Sequence, residues 1–302
     1  MLLVVAESSG SSPGRAGYKM AVAADGELWG SIGGGVMEVN LVEQSREILS
    51  VPPAVAGGAF LVDQVHQKNS PEASGMICSG RQTIIFKPLV RDDLAVVIAT
   101  VAAIENGSGT SFEISDSRFQ IIESKEDGLS FSREGKSRFT YRETVAHLND
   151  LFIIGGGHCA LALSEMMAKL DFRITIFDDR PDLNTIEKNE FAHEIAIIDE
   201  YEKIAEHLPD NKDFYVVVMT LGYASDKIVI KQLCDRDFKY FGVLGSKAKM
   251  ATLMRELKDE GLDADKLARI HTPIGIPINS RTPEEIAVSI AAEIISVKNS
   301  TE

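Results

Sequence analysis

Positive charge and cysteine are both scarce in this chain of 302 residues. It has 31 Lys and Arg against 45 Asp and Glu, which gives a formal net charge of −14 at pH 7. Because a protein that holds a nucleic-acid backbone needs a basic surface, this balance argues against nucleic-acid binding. The 3 cysteines, Cys78, Cys159 and Cys234, form no C-x-x-C pair, so neither a disulfide framework nor a zinc ribbon fits. We expect a reducing, cytoplasmic location.

Long apolar runs are also missing. The longest, Leu94 to Ile104, is well short of the ~20 residues that a membrane span needs. The apolar segment Met1 to Ala6 has no basic residues before it and is followed at once by Glu7, so the sequence predicts no signal peptide. With 44% hydrophobic residues, the chain has ample material for a packed core.

Glycine-rich loops mark the first half of the chain. The loop at residues 7–17 is followed by a predicted hairpin around Ala24-Asp25-Gly26 and then by three glycines, Gly33 to Gly35. Apolar residues at helical spacing predict a helix from Val36 to Leu49. Consecutive glycine N–H groups before a helix suit an anion, and Arg15 would add a charged partner. Ordinary tight turns of a β-rich domain are an equal alternative.

The second half alternates buried-looking strands with helical stretches. This rhythm predicts βαβ units and a parallel sheet covered on both faces. We therefore expect an N-terminal α+β domain at residues 1–145, with edge strands and hairpins over residues 109–142, and a Rossmann-like, doubly wound domain at residues 146–302. The five predicted strands are Leu151 to Ile154, Arg173 to Phe177, Glu194 to Ile198, Phe214 to Met219 and Tyr240 to Leu244.

The segment Gly155-Gly156-Gly157-His158-Cys159-Ala160 carries the strongest local signal. It matches G-x-G-x-x-A between a strand and a helix, and Asp178 ends the next strand where a ribose-binding carboxylate is expected. Such a turn receives a pyrophosphate on the N–H groups of the helix N-terminus. The pattern predicts the fold, but it leaves open whether the ligand is NAD(P) or another phosphorylated molecule.

Further candidates lie near predicted strand ends. His158 is expected to contact the anion, whereas Cys159 is interpreted as a small core residue. Ser246 and Lys247 follow the last parallel strand, and His271 either faces the same crevice or is a packed histidine. A further loop places Cys78 near Arg81, where a thiolate able to bind a soft metal and an unremarkable free thiol are both possible.

Eight segments, spread over nearly the whole chain, form a recognisable series. They are Gly10-Ser-Ser-Pro13, Gly30-Ser-Ile-Gly-Gly-Gly35 with Glu38, the Cys78 loop, Gly155-Gly-Gly-His158, Asp178-Asp-Arg-Pro181, Gly242-Val-Leu-Gly-Ser-Lys247, His271-Thr-Pro-Ile-Gly275 and Thr282 to Ile290. In kind and in order they resemble the motifs of a known family, the xanthine dehydrogenase accessory factors of the XdhC/CoxF type.

The resemblance implies a maturation factor. Such a protein binds molybdenum cofactor, protects it during sulfuration, and delivers it to an apo molybdenum hydroxylase of the xanthine dehydrogenase type. It also implies a homodimer and contact with a sulfurtransferase, and we expect one ligand-binding cleft for both glycine loops. The candidate cofactor-binding residues are Ser12, Arg15, Gly33, Gly34, Gly35, Glu38, Cys78, Arg81, Gly155, Gly157, His158, Asp178, Ser246, Lys247 and His271, with Cys78 also as a metal ligand.

Two rival functions remain open on the sequence. One is an NAD(P)-dependent oxidoreductase, for which His271 and Tyr223 are the candidate general acids. The other is a ligand sensor or scaffold that binds cofactor without promoting the maturation of a partner. Hydrolase and kinase functions lack their motifs, since the chain has no H-E-x-x-H, Walker loop or G-x-S-x-G.

Overall fold

The computed structural model describes residues 1–50, 58–65, 80–106, 110–123, 128–135, 137–145 and 149–300. They form two compact units, Met1–His147 and Leu148–Glu302. No helix in this described part of the chain is both long enough and apolar enough to cross a bilayer.

The first unit contains a five-stranded antiparallel sheet with the order β3-β2-β1-β5-β4. A second antiparallel sheet has the order β7-β6-β9-β8. The elements are β1 (Leu2–Gly10), β2 (Lys19–Val22), β3 (Leu28–Gly30), α1 (Gly35–Ser50), β4 (Phe60–Val65), β5 (Gly80–Lys87), α2 (Leu94–Asn106), β6 (Ser111–Ser115), β7 (Phe119–Ile122), β8 (Leu129–Glu134) and β9 (Arg138–Thr144).

The central strand β1 is covered on both faces. Leu3 and Val5 pack with Leu41 and Val42 of α1 on one side. On the other side, Val4 and its neighbours pack against the aromatic and aliphatic side chains of the second sheet. Because both faces are buried, β1 has a continuous apolar run in place of the alternation that a one-sided strand shows. Around β1 the unit therefore has three layers: α1, the five-stranded sheet and the second sheet.

Helix α1 confirms the predicted helix but not its predicted apolar face. Leu41, Val42 and Ser45 are buried, while Val36 and Val39 are each 54% exposed. At 100° per residue, Val36 and Val39 lie outside the stripe that the three buried residues form.

The second unit is built on five parallel strands with the order β12-β11-β10-β13-β14. Its elements are β10 (Asn149–Ile154), α3 (His158–Met167), β11 (Phe172–Asp178), α4 (Asn184–Glu187), β12 (Glu194–Ile197), α5 (Ile204–His207), β13 (Tyr215–Val218), α6 (Tyr223–Leu233), β14 (Tyr240–Val243), α7 (Lys247–Asp259), α8 (Ala264–Ala268) and α9 (Pro283–Asn299).

Helices cover both faces of this sheet. Helices α3 and α9 pack on one face, and α5 to α8 pack on the other, each with its own apolar core. All five predicted strands are present within a residue or two. Helix α9 starts with a capping box, in which the hydroxyl of Thr282 accepts from the N–H of Glu285 and the Glu285 carboxylate accepts from the N–H of Thr282. The Rossmann-like, doubly wound fold is confirmed.

Candidate functional site

The carboxyl edge of the parallel sheet brings three helix N-termini to one side of the second unit. Helices α3, α6 and α7 follow β10, β13 and β14, so each begins at this edge. The chain leaves β10 toward β11 on one side, and β13 lies on the other. The order of the strands therefore reverses between β10 and β13, which is where open α/β sheets bind their ligands.

The glycine turn after β10 has the geometry that its sequence predicted. Gly155 has φ 111°, and a Cβ there would lie 2.3 Å from the carbonyl oxygen of Met219 on the neighbouring strand end. Only glycine fits both the backbone conformation and the close approach. Gly157 is the N-cap of α3 and carries no side-chain cap, and a Cβ at this position would meet no described atom within 4 Å. The N-terminus of α3 therefore faces open space with uncapped N–H groups.

His158 and Cys159 occupy the first two positions of α3. His158 is exposed at the open helix end. Cys159 is half-buried against the α3–α9 core, and burial, assisted by the negative charge of Glu284, raises the pKa of its thiol. A thiol in these surroundings is not activated as a nucleophile.

Asp178 is fully buried at the end of β11, and every hydrogen bond that it accepts comes from the protein. One carboxylate oxygen accepts from the N–H of Gly156 at 2.6 Å and from Nη2 of Arg180 at 2.8 Å. The other accepts from the backbone N–H of Arg180 at 2.9 Å and from its Nε at 2.8 Å. Burial acts to raise the pKa of Asp178, but these hydrogen bonds outweigh it and hold the pKa below its ordinary value. The carboxylate thus has no acceptor position left for a ribose hydroxyl.

A second buried carboxylate lies at the same edge, near the start of α6. Asp226 is 1% exposed; it accepts from the hydroxyl of Thr220 at 2.6 Å and from Nζ of Lys249 at 2.8 Å. Gly222, the N-cap of α6, has open space around it as Gly157 does. The edge therefore carries two uncapped helix ends, each beside a cation that a buried carboxylate holds in place.

The remaining candidates of this unit divide between the edge and elsewhere. Ser246 is the N-cap of α7, with its hydroxyl accepting from the N–H of Lys249, and Lys247 is the exposed first residue of that helix. His271 instead lies on the outer side of β14: its backbone pairs with Gly242, one residue before the end of that strand, its ring centroid lies 4.6 Å from that of Tyr240, and its Nδ1 lies 3.4 Å from Glu293. Strands β13 and β14 therefore stand between His271 and the glycine turn after β10.

In the first unit, a buried glutamine joins the loop at residues 10–17 to the sheet. The amide oxygen of Gln82 accepts from the hydroxyl of Ser12 at 2.7 Å and from the N–H of Gly14 at 3.3 Å. Its amide nitrogen donates to the side chain of Gln64, which in turn donates to the carbonyl of Met37 in α1. These bonds hold the loop beside the first turn of α1.

The triple glycine before α1 holds an anion that belongs to the chain itself. Gly33, Gly34 and Gly35 all have left-handed φ angles, of 126°, 74° and 73°. One carboxylate oxygen of Glu38 accepts from the hydroxyl of Ser31 at 2.7 Å and from the N–H groups of Ile32 and Gly34 at 2.8 and 3.0 Å.

Burial acts to raise the pKa of Glu38, but these hydrogen bonds outweigh it and lower the pKa below its ordinary value. The carboxylate is therefore charged at neutral pH. A ligand phosphate at this loop competes with Glu38 for the same donors.

The two candidate arginines of this unit lie on different elements. Arg15 follows Gly14, whose backbone nitrogen packs against that loop, 2.4 Å from where a Cβ on Gly33 would lie. Arg15 is exposed on the 10–17 loop, with no side-chain bond within the described part of the chain. Arg81 neighbours Gln82 on β5, and adjacent strand residues point to opposite faces. Arg81 lies in a 470 Å³ surface pocket with Asp63, whose carboxylate is paired with Arg133 at 2.8 Å.

Cys78 lies outside the described residues. Elsewhere, the described ranges contain no group of three or more His, Cys, Asp and Glu side chains arranged to hold a metal ion.

Sequence reasoning missed four residues that shape these sites. Gln64 and Gln82 are polar residues within strands, and their pattern gives no sign that they face a loop. Lys249, two positions beyond the predicted Lys247, is the lysine that pairs with the buried Asp226, and the sequence motif did not indicate it. Arg180 was part of the Asp178 motif, but no role was predicted for it. That two residues are two positions apart in the sequence does not indicate that their side chains form a bidentate ion pair.

Comparison with known proteins relates both units to one family. A model of the XdhC Rossmann domain matches residues 151–294, and a model of the XdhC and CoxI family matches residues 1–53. An uncharacterised protein of Escherichia coli, YqeB, is 24% identical over 98% of this chain and 43% of its own length. A protein of Bacillus subtilis, named as a probable xanthine dehydrogenase subunit, is 27% identical over 49% of this chain and 42% of its own length.

The chain therefore spans less than half the length of the curated relatives that it matches. Among solved structures, one titled a xanthine dehydrogenase from Bacillus halodurans aligns over 100% of this chain and 92% of its own, with a TM-score of 0.77 and 20% identity. At that identity the likeness supports the fold of the two units and nothing finer. The two family models, which cover the glycine turns of both units, show that the chain belongs to the XdhC/CoxI family.

Proposed function

We propose that this protein is a maturation factor for a molybdenum hydroxylase of the xanthine dehydrogenase type. In this proposal it binds molybdenum cofactor as cargo, shields it while a sulfido ligand is installed, and passes it to the apo enzyme. Association with a sulfurtransferase, a homodimeric state and a cytoplasmic location belong to the same proposal.

The observation that carries the proposal is the open N-terminus of α3. Molybdopterin is a phosphorylated pterin, and its phosphate needs donors that are not already used. At Gly157 the helix end has no side-chain cap and room for a ligand atom where a Cβ would lie. Backbone N–H groups and the helix dipole favour an anion there. In a chain of net charge −14, such local donors are what lets an anion bind.

Family membership and the names of relatives support the choice of client. The Bacillus subtilis relative is named for xanthine dehydrogenase, and the structure with the same fold is titled a xanthine dehydrogenase. The metal end of the cargo is not assigned to any residue of the described part. Cys78 remains the predicted metal ligand.

The phosphate site is tested by measuring the binding of purified molybdopterin with titration calorimetry under anaerobic conditions. Gly157→Asp places a carboxylate against the phosphate, and we expect it to weaken binding by tenfold or more. Gly157→Ala separates crowding from charge: its φ of −74° suits any residue and its Cβ meets no described protein atom, so the fold is kept and the loss of affinity should be smaller than in Gly157→Asp. Equal affinities for all these variants would refute the phosphate site.

Reconstitution of an apo molybdenum hydroxylase separates the rival functions. A maturation factor raises the yield of active hydroxylase from cofactor and sulfide, whereas a sensor or scaffold binds cofactor and leaves the yield unchanged. An oxidoreductase turns over NAD(P)H with a small substrate. For that rival, His271 lies on the outer side of β14, with β13 and β14 between it and the glycine turn, and the ring of Tyr223 packs against the core.

A further inference from the structure

The end of β11 offers a flat cationic surface in place of the ribose-binding carboxylate that its motif predicts. Asp178 accepts four hydrogen bonds from protein groups, with no solvent exposure. Each of its oxygens already has two donors, so a ligand hydroxyl has no acceptor there. What Asp178 does is fix Arg180, since two of its four bonds come from the edge of that guanidinium.

A guanidinium whose edge is hydrogen-bonded to a carboxylate still has its two flat faces available for stacking. Arg180 uses Nε and Nη2 on Asp178, both at 2.8 Å, and its side chain is 30% exposed. No aromatic ring of the described residues stacks on it. Arginine planes stack on flat heterocycles by dispersion and cation–π attraction, and this needs no unpaired charge.

The charges around Arg180 also favour a heterocycle over a second anion at this point. Asp178 neutralises the guanidinium, and Asp179, 40% exposed, lies 3.7 Å from Nε. An anion placed on Arg180 would therefore meet two carboxylates. A neutral ring would not.

The anion site lies next to this surface. Gly156 and Nη2 of Arg180 donate to the same oxygen of Asp178, so the two nitrogens are less than about 6 Å apart. Gly157 follows directly and opens the N-terminus of α3. A ligand whose phosphate binds at α3 therefore has Arg180 within reach of the rest of the molecule.

A buried hydroxyl provides a separate sign of a ligand. Tyr201 is 4% exposed, and its hydroxyl has no hydrogen-bond partner within the described part of the chain. The hydroxyl lies near the charged side chains of Asp178, Asp179 and Arg180. The backbone N–H of Asp179 is also near, but it does not form a hydrogen bond with the hydroxyl. Buried hydroxyls normally form hydrogen bonds, so this one is suited to bind a polar atom of a ligand beside Arg180.

We propose that Arg180 is a stacking platform for the heterocycle of a phosphorylated ligand whose phosphate binds at the N-terminus of α3. This rests on the proposed function only in that the ligand binds at the same edge. The chemistry is that of a flat ring joined to a phosphate, which either the pterin of the cofactor or the base of a nucleotide supplies.

Two small probes isolate the ring. Adenosine 5′-monophosphate and ribose 5-phosphate share a phosphate and a sugar and differ only in the base. We expect the wild type to bind the nucleotide at least tenfold more tightly, which is the usual size of a base-stacking contribution. In Arg180→Lys, which keeps the charge and loses the plane, the preference falls to threefold or less while the affinity for ribose 5-phosphate is unchanged. Ribose 5-phosphate is thus the internal control for folding, and Gly157→Asp should weaken both probes.

A second comparison identifies the source of the ring. If the pterin stacks on Arg180, molybdopterin and its cytosine dinucleotide bind the wild type equally and both weaken in Arg180→Lys. If the base stacks there, the dinucleotide binds more tightly and it alone weakens. Equal binding of the two small probes to the wild type, or a base preference that survives in Arg180→Lys, overturns the inference. Cofactor binding that persists in that case leaves the proposed function standing.

Discussion

Replacing Asp178 by Asn tests how firmly the end of β11 is held by one buried carboxylate. The substitution keeps the shape of the side chain but removes its charge and turns one acceptor into a donor, which then faces groups that also donate. Breaking a buried ion pair by changing one partner costs about 3–5 kcal/mol. Arg180 is 30% exposed and regains some hydration, so we expect a loss near the lower limit, about 3 kcal/mol.

The pH dependence of this loss follows from the lowered pKa of Asp178. A carboxyl whose folded-state pKa is depressed stabilises the protein fully above its unfolded-state pKa, which is about 4. That contribution is lost as the pH falls through the folded-state pKa. The Asp178→Asn variant has no titrating group at this position, so the gap between wild type and variant should be constant near neutral pH and should narrow below pH ~4.

Urea denaturation combined with hydrogen exchange of peptides from β10 and β11 measures the effect in the unit that carries it. Asp179→Asn is the matched control, because this neighbour is 40% exposed and 3.7 Å from Nε of Arg180. Its loss should stay under about 1 kcal/mol, as for surface ion pairs. If the two variants are equally stable, or if the gap persists in acid, the assigned role of Asp178 is wrong.

Three further substitutions give expected changes in stability. Gly155→Ala should lower the free energy of unfolding by at least about 2 kcal/mol, because φ is 111° and the new Cβ would lie 2.3 Å from the carbonyl oxygen of Met219, whereas Gly157→Ala should be nearly neutral in thermal melts. Glu38→Ala should cost about 1–2 kcal/mol in urea denaturation, since it leaves three donors of the glycine loop unpaired; an unchanged midpoint would contradict this. Thr282→Ala removes the capping box of α9 and should cost about 1 kcal/mol, with Thr282→Ser as the variant that retains it.

The parallel sheet could be predicted from the sequence because all of its strands except β12 are largely buried on both faces and therefore appear as short, continuous apolar runs. Strand β4 was not predicted. Its side chains are only partly buried or exposed, so Leu61 and Val62 stand in a segment without a clear alternation. Helices α4, α5 and α8 have four or five residues each, too few for a period of 3.6 to be recognised.

The site could be predicted only in its backbone features. Glycines that must adopt a left-handed conformation leave a signature in the sequence, and the turn at Gly155 was found on that basis. Which acceptor a side chain uses leaves none. Asp226 and Lys249 meet across 23 positions, and Ser12 and Gln82 across 70, through contacts that depend on how whole elements pack.

The chain of hydrogen bonds through the amides of Gln82 and Gln64 links the 10–17 loop to the start of α1 in the first unit. Every hydrogen bond in it runs in the same direction. The hydroxyl of Ser12 donates to Gln82, Gln82 donates to Gln64, and Gln64 donates to the carbonyl of Met37. Turning either amide over would set donor against donor. A molecule that displaces the 10–17 loop therefore also disturbs the hydrogen bond to the start of α1, so the two segments are coupled.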